Sequence, residues 1–586
     1  MKIRLILALF ITCIVFPGAL RPEQFADVLI RGGRVLDGTR SAVFQRDVAI
    51  KDGRILAVGD LKEMQANKII DALGYYVTPG FIDMHSHARR GLSNPHLASA
   101  INNVTQGITT VVVGQDGRHA WPVGSSLAQQ VKLWRSQGVG NNLIPLVGHG
   151  SARLEVMGWD QGRASPEQAE AIANRVKEDL KQGAWGISTG LSYIPGRYSS
   201  TEEVIEATRP VREIDGFYIS HLRDQGDHLL EAIEEMLRIS EATGVRVVAT
   251  HIKSAGRRNW GGSGAAVKRI SKARRQGIPA YADLYPYETS SDGVDVSLVN
   301  WMSLFAQQEI QSWLPPVEIP TSDFLSWVYR VNPTIGQFFT IGFVKQQPER
   351  TIRSMVLDGL LDRLRSEEVV RQRLREVRAD PQRHHFLLRS VQQRIDWPGG
   401  AELFRIEKHP DESLVGLSLA EAALIRDVSP AQAAVQLTLE GAVFTQFHMS
   451  EEDIITFIQQ PYVAGCTDGW VPEYGIGMTH PRSYGAFTRR LRRYVYELKV
   501  IDLPLAIHTA TGLPAEIIGL TDRGYIKVGQ WADLIVFDPR RVRDRATFRN
   551  PHQYSEGIEW VFINGKVVVE NGKPNGHRAG RVLLRK

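Results

Sequence analysis

The feature that most constrains the chain is a series of eight short, β-branched apolar runs, most of them separated by amphipathic helical patterns. The runs cover residues 80–87, 108–116, 143–150, 185–191, 217–223, 246–253, 279–287 and 462–469. Alternation of this kind calls for a parallel sheet covered by helices. Eight strands with helices between them are what a TIM (β/α)8 barrel requires. The helical stretches carry their own punctuation. Ser165 can cap a helix over 165–182, with Glu167 and Gln168 in its first turn; a second helix is expected over 200–214, and a third over 228–243 with Gly244 as its stop. No repeat at a fixed period is present, which sets solenoids aside.

Two regions fall outside the eight-fold pattern. Short strand-like runs with glycine turns occupy residues 26–78, and similar runs recur at 533–537, 560–563 and 566–570. Chain termini often lie close together, so the two ends are expected to pair. The expected organisation is a discontinuous small β-sandwich-like domain from 24–78 and 525–586, beside a barrel over 79–524. A long insertion, about 295–455, precedes the last barrel strand. It holds Trp301, Trp313, Trp327 and Phe338-Phe339, then a charged helical portion over 349–377. Those aromatics either line a substrate pocket or form the insertion's own core. Segments this long are usually functional or separately folded.

Composition closes off several classes. The 586 residues are 43% hydrophobic and 23% charged, ordinary for a soluble globular enzyme and unlike a disordered or fibrous chain. The net charge of +6 is dispersed, with short basic clusters at 489–493 and 540–545 that read as solvated or salt-bridged faces. No focused patch with a reading motif exists, so no nucleic-acid partner is expected. At the start, Lys2 and Arg4 precede an apolar run over 5–16 and then Pro17-Gly18-Ala19. This reads as a signal peptide over 1–20 and an exported protein, periplasmic or secreted; a retained membrane anchor is the alternative. The run is too short to cross a bilayer comfortably, so no stable span is expected after the signal is removed. Of the two cysteines, only Cys466 would then remain, and no intrachain disulfide can form.

The residues that carry chemistry stand at the ends of the apolar runs. His85-Ser86-His87 ends the first, and two residues one apart on a strand share a face. Asp116 ends the second run, His221 lies near the end of the fifth, His251 near the end of the sixth and Asp468 near the end of the eighth. In a barrel all these positions converge at the C-terminal mouth, where catalysis takes place in this fold. Imidazole and carboxylate donors together suit zinc and its divalent neighbours, as one ion or two. Metal-assisted hydrolysis is the chemistry that follows, with Asp468 as general base and acid. Some polar residues stay ambiguous. His119 either joins the ligands or faces solvent, and His149 either faces substrate or packs. Asp83 and Arg223 fit pairing across the wall as well as catalysis.

At these residues the sequence resembles the metal-dependent amidohydrolase superfamily, and within it the N-acyl-D-amino-acid deacylases (D-aminoacylases). The likeness runs through Pro79-Gly80-Phe81-Ile82-Asp83-Met84-His85-Ser86-His87, Ser188-Thr189-Gly190-Leu191 and Ser220-His221-Leu222-Arg223-Asp224. It continues through Thr250-His251-Ile252-Lys253, Asp283-Leu284-Tyr285-Pro286-Tyr287, His480-Pro481-Arg482 and Trp531-Ala532-Asp533-Leu534. The resemblance implies hydrolysis of a small N-acylated D-amino acid or a D-residue dipeptide. It also implies that Lys253, Tyr285 and Arg482 hold the substrate α-carboxylate, a task suited to a point charge, a hydroxyl and a planar fork. A cyclic amidase or deaminase on the same barrel is the alternative. One departure concerns the metal: the family usually carries Gly-Asn-Cys-Gly after its second strand, with the cysteine as ligand. Here Gly114-Gln115-Asp116-Gly117 supplies a harder carboxylate. The long insertion is a second departure.

Overall fold

The computed structural model describes residues 25–122, 125–158, 160–290 and 367–585. The expected signal peptide over 1–20 and the tryptophan-rich part of the insertion therefore lie outside the described residues. Chain entry is through β1 (Phe25–Val35), β2 (Phe44–Lys51), β3 (Arg54–Gly59), β4 (Gln65–Asp71) and β5 (Tyr76–Pro79). β1 keeps β2 on one edge but changes partner on the other. Residues Phe25 to Arg31 pair in parallel with β4, whereas Arg34 and Val35 pair with β5. The change falls at Gly32-Gly33, where the β1–β2 register also shifts. A side chain at Gly33 would run into Val77, so glycine is what lets the sheet fork there.

The barrel follows: β6 (Phe81–Asp83), β7 (Ile108–Val113), β8 (Asn142–Pro145), β9 (Val147–Gly148), β10 (Gly186–Gly190), β11 (Phe217–His221), β12 (Arg246–Ala249) and β13 (Ala280–Leu284). Their burial is nearly complete on both faces, as parallel strands covered by helices demand. The third expected strand is two pieces. β8 pairs with β7 and β9 pairs with β10, so the strand transfers from one neighbour to the other across Leu146. The helices form where their caps stand. Ser165 and Gln168 make a reciprocal capping box for Pro166–Lys181, Ser200 caps Thr201–Glu213, and left-handed Gly244 ends Leu229–Thr243.

The described part of the insertion folds around its own apolar cluster, in which Val370, Leu374, Leu387, Val391, Leu437 and Phe444 meet. Its hairpin is β14 (Phe404–Lys408) with β15 (Val443–Gln446). The last barrel strand, β16 (Val463–Gly465), pairs with β13 but not with β6. The gap is filled from downstream: Ile82 N–H donates to the Ala510 carbonyl at 2.9 Å and Gly465 N–H to the Thr509 carbonyl at 2.8 Å. At the rim the circle closes directly. Asp468 N–H donates to the His85 carbonyl at 2.8 Å, and His87 N–H to that of Gly469 at 2.9 Å. Closure therefore joins the first and last site-bearing loops.

The chain then returns to the first sheet through β17 (Leu534–Phe537), β18 (Ile558–Ile563), β19 (Lys566–Glu570) and β20 (Lys573–Pro574). β17 pairs antiparallel with β5, and the nine strands enclose a core drawn from both chain ends, including Ile30, Val48, Val77, Leu534 and Phe562. The basic stretch at 540–545 is salt-bridged: Arg540 pairs with Asp538, Arg541 with Glu559, and Arg543 and Arg545 with Glu556. Asp533 ties the β domain to the barrel. Its carboxylate takes the Arg523 guanidinium, Asn142 Nδ2 at 3.0 Å and the Asn564 amide at 2.6 Å, all buried. Asp533→Ala leaves the buried Arg523 with only the half-exposed Asp522 as counter-ion, and breaking a buried pair costs about 3–5 kcal/mol. We expect a lower thermal midpoint by calorimetry; an unchanged midpoint would show the network to be dispensable.

Candidate active site

The site residues sit where the strands give way to loops. His221 ends β11; His85, His87, Asp116, His251 and Asp468 lie just beyond β6, β7, β12 and β16. Three of them have left extended geometry altogether: φ is 57° at Asp116, 35° at His251 and 48° at Asp468. Left-handed backbone at non-glycine residues costs of order 1–3 kcal/mol each and persists only where surroundings enforce it. The surroundings here are specific. Ser188 Oγ accepts from Gly117 N–H at 3.1 Å and donates to the Gly114 carbonyl, while Gln115 Nε2 donates to the Met84 carbonyl at 3.0 Å. A Cβ at Gly190 would collide with the Asp116 carbonyl, so glycine lets the fourth strand approach this turn.

All six expected ligands meet. His85 Nε2 lies 3.3 Å from His87 Nε2 and 3.3 Å from Asp468 Oδ1, and His87 Nε2 lies 3.0 Å from the same oxygen. Asp116 reaches the other residues: Oδ1 is 3.7 Å from His85 Nε2, 3.8 Å from His221 Nδ1 and 3.7 Å from His251 Nε2, and Oδ2 is 3.3 Å from His87 Nε2. Two overlapping triads could each hold an ion, His85/His87/Asp468 and His85/Asp116/His251. The donors fit a cation. Two ligand atoms on a tetrahedral zinc, each about 2.1 Å away, stand roughly 3.4 Å apart. Asp116 Oδ1 is buried, has no hydrogen-bond partner among the described residues, and faces three imidazole nitrogens just outside hydrogen-bond range.

The electrostatics point the same way. Burial pushes His221 well down and His251 down to about 4, with the Lys253 charge adding to the effect at His251; both rings are therefore neutral and able to donate a lone pair. Burial also works against a charged His87, yet hydrogen bonds to Asp116 and Asp468 outweigh it and lift the ring to about 9. A cation bound there takes the place of that proton. Burial opposes ionisation of Asp116 and Asp468, but the neighbouring imidazoles, and Arg482 beside Asp468, hold both carboxyls well below their usual range.

Beneath the ligands lies a supporting layer that the sequence did not single out. His85 Nδ1 meets Thr250 Oγ1 at 2.6 Å, and that hydroxyl contacts both Asp283 oxygens at 2.8 and 2.9 Å. Asp283 also accepts the His251 amide at 2.6 Å. Such outer partners fix the tautomer and aim of a ligating ring. Gln225 meets His251 Nδ1 at 3.2 Å and Lys253 Nζ at 2.7 Å. Two aromatics flank the rings: Trp470 stacks on His87 at 5.0 Å, and Tyr193 lies 4.4 Å from His221. Only the position of Trp470, two residues after Asp468, could have suggested it.

The three other expected site residues also converge. Arg482 Nη1 lies 2.8 Å from Asp468 Oδ2. The Tyr285 ring has Lys253 Nζ 5.7 Å and Arg482 Cζ 4.6 Å from its centroid. Burial lowers Lys253 to about 8, which leaves it mostly charged at neutral pH. Each of the four ambiguous residues has a packing or polar partner. His119 is buried, stacks on Trp121, and accepts the Gly148 amide through Nδ1 at 3.0 Å; it neither joins the ligands nor faces solvent. His149 is buried against Glu203 at 3.0 Å. Asp83 takes the Thr467 amide and hydroxyl at 2.9 and 2.6 Å, and Arg223 pairs with Glu235.

Known proteins resemble this chain over most of its length. The amidohydrolase family profile matches residues 68–290 and 459–569, the segments that carry the barrel and its ligands. N-acyl-D-aspartate deacylase of Alcaligenes xylosoxydans xylosoxydans is 31% identical over 96% of this chain and 95% of its own. The crystal structure of a D-aminoacylase superposes with a TM-score of 0.70 at 28% identity, covering 96% of this chain and all of that one. The zinc- and phosphonate-bound N-acyl-D-glutamate deacylase from Bordetella bronchiseptica does so with 0.68 at 28%, at the same coverage. The match extends through both chain ends as well as the barrel, and on that footing this chain belongs to the amidohydrolase family.

Proposed function

We propose that the protein hydrolyses the amide bond of an N-acyl-D-amino acid, or of a dipeptide ending in a D-residue, with one or two divalent ions, zinc foremost. The observation that carries the reading is the joining of two chemistries in one mouth. Three imidazoles and two carboxylates gather where a cation fits, His221 stands against Asp116 and His251, and Lys253, Tyr285 and Arg482 gather beside them. Relatives and solved structures that act on N-acyl-D-amino acids support it.

A bound divalent ion would supply two things: a water whose pKa falls from about 16 to roughly 7, and polarisation of the scissile carbonyl. The protein does the rest. His85, His87, Asp116, His221, His251 and Asp468 hold the ion. Asp468, ionised by its pairing with Arg482, accepts the proton of the attacking water and passes it to the leaving amine. Lys253 and Tyr285 bind the substrate α-carboxylate and so present the amide to that water. Arg482 has its fork beside both the base and the Tyr285 ring, and links binding to proton transfer. A ring amide has no free α-carboxylate and would leave this cationic corner without a role.

A panel of N-acyl-D- and N-acyl-L-amino acids with L-Xaa-D-Xaa dipeptides tests the reading. With zinc, cobalt or manganese supplied, the D-series should release free amine and the L-series should not. No cleavage of any member by fully metal-loaded protein would overturn it. Tyr285→Phe isolates the clamp, because it removes one hydroxyl without touching Asp468. A hydrogen bond to a charged group is worth about 1.5–3 kcal/mol, so KM should rise at least about tenfold with kcat little changed. An unchanged KM would remove Tyr285 from the clamp.

Export is part of the proposal and rests on the sequence of residues 1–20 alone. Among the described residues, no helix is long and apolar enough to cross a membrane.

A further inference from the structure

Gln225 stands where the ion-binding cluster and the carboxylate clamp meet. It lies in the loop after β11, which His221 ends, and is 8% exposed. Its Oε1 accepts from Lys253 Nζ at 2.7 Å, and its Nε2 donates to the Thr250 carbonyl at 3.1 Å and lies 3.2 Å from His251 Nδ1. The backbone is held as well, the Gln225 carbonyl accepting the Ala255 amide at 2.7 Å. Lys253 Nζ lies 3.0 Å from the same His251 Nδ1. An expected ion ligand, an expected clamp residue and an uncharged amide thus touch one another pairwise. On its other side the His251 ring meets His221, Nε2 to Nδ1, at 3.0 Å.

Hydrogen-bond sense decides what this triangle can do. An ammonium only donates. With Lys253 and the Gln225 NH2 both turned to Nδ1, that atom accepts, and the proton of the neutral ring stands on Nε2. A ring that gives Nε2 to a cation carries its proton on Nδ1 instead, where it would face two donors. Of the three groups, only the amide can change sense. Turned about its last bond, Gln225 offers Oε1 to the Nδ1 proton and its NH2 to Lys253, and two donors face to face move apart. The turn gives up the bond to the Thr250 carbonyl, which keeps the amide in its first position until other interactions outweigh it. A substrate carboxylate supplies one by drawing Lys253 away; a cation on Nε2 supplies the other. We propose that Gln225 is a positioning residue that couples the two sites, so that a carboxylate in the clamp tightens the cation and the cation tightens the carboxylate. Reciprocity requires the same factor in both directions. One proton moves from Nε2 to Nδ1; the ring stays neutral and Lys253 stays charged, so no charge is created or lost. The inference rests on the deacylase reading and adds to it the link between ion and substrate.

Zinc affinity of the full chain, measured by competition with a chelator, tests this with and without an N-sulfonyl-D-amino acid, which keeps the α-carboxylate and has no N-acyl carbonyl to cleave. The matching primary amide, which has no charge to offer Lys253, is the control. For the native protein we expect the carboxylate to tighten zinc by about tenfold, inside the usual range for coupled sites, and the primary amide to leave it within about twofold. Gln225→Met keeps the length and removes both polar atoms; the gain should vanish while zinc alone still binds. Gln225→Glu puts an oxygen on both sides, accepts the Nδ1 proton without turning and holds Lys253 in place. In that variant zinc alone should bind more tightly than in the native protein, KM should rise, and the gain should again vanish. A residue of purely structural importance would weaken zinc in both variants and leave the gain intact. A gain kept in Gln225→Met, or a native protein that cleaves the D-series yet shows no gain, overturns the inference and leaves the deacylase reading standing. An equal gain with the primary amide also overturns it, since the carboxylate would then play no part. A fully metal-loaded protein that cleaves nothing overturns both.

Discussion

Asp468→Asn should lower kcat/KM by roughly 10²–10⁴-fold, the range that a positioned general acid–base group contributes. The substitution keeps the shape and removes the charge. Asp468 Oδ1 faces His85 and His87 at 3.3 and 3.0 Å, and Oδ2 faces Arg482 at 2.8 Å. An amide in this place can still touch the imidazoles but can neither accept the water's proton nor balance Arg482. Loss of turnover could come from lost metal instead, because the same oxygen belongs to one of the two triads. Elemental analysis separates the causes. A variant that retains its metal and loses turnover identifies Asp468 as the proton carrier; one that retains metal and turns over within a few-fold of native removes it from that role. Circular dichroism checks that the buried Arg482, left without its counter-ion, has not unfolded the mouth.

The barrel was legible in the sequence because buried parallel strands must be apolar on both faces, and such runs stand out against amphipathic helices. The capped helices were legible for an equally local reason: Ser165, Ser200 and Gly244 act on the turns next to them. Strand ends were less legible. The expected runs 80–87 and 108–116 extend beyond β6 and β7 into the site loops, because the sheet ladder stops where the backbone turns into the mouth and residue type does not mark that point. Residues 143–150 read as one run but form β8 and β9, because the break serves neighbours on opposite sides. The β6–β16 gap, filled from Thr509 and Ala510, depends on contacts far apart in the chain, and no local pattern records it.

At the site, the six ion-binding candidates were legible because each is a polar residue at the end of an apolar run, and the barrel brings those ends together. Lys253, Tyr285 and Arg482 were named through family resemblance, and only the coordinates bring them together around one ring. The layer below was invisible for a physical reason. Thr250 and Asp283 act through one hydroxyl between His85 and a carboxylate, and a threonine or aspartate in a buried strand looks the same whether it supports a ligand or a turn. His119 illustrates the reverse case. A histidine three residues after Asp116 invites a ligand role, yet its Nδ1 is used by the Gly148 amide.

Asp116→Ala should cost more than about 100-fold in activity and leave the purified protein with less than half its native metal content. Even outer-layer partners of a metal ligand are worth about 10–100-fold in affinity or activity, and Asp116 is proposed as an inner one. It is the residue that touches His85, His87, His221 and His251 alike. Its removal takes one negative charge from a cluster whose other carboxylate is already shared with Arg482. The four imidazoles would then face a cation with little to offset its desolvation. Asp116→Cys makes the complementary case. A thiolate restores the charge with a softer donor, the ligand that the D-aminoacylase-like pattern usually has at this point. That variant should keep its metal and at least about a tenth of native turnover, with its preference moved toward softer ions. The left-handed backbone at this position, φ 57°, is held by Ser188 and by the glycines on either side, so it does not depend on the side chain being replaced. Full metal content and turnover in Asp116→Ala would mean that the ion is held by the histidines and Asp468 alone, and the second triad would lose its place in the site.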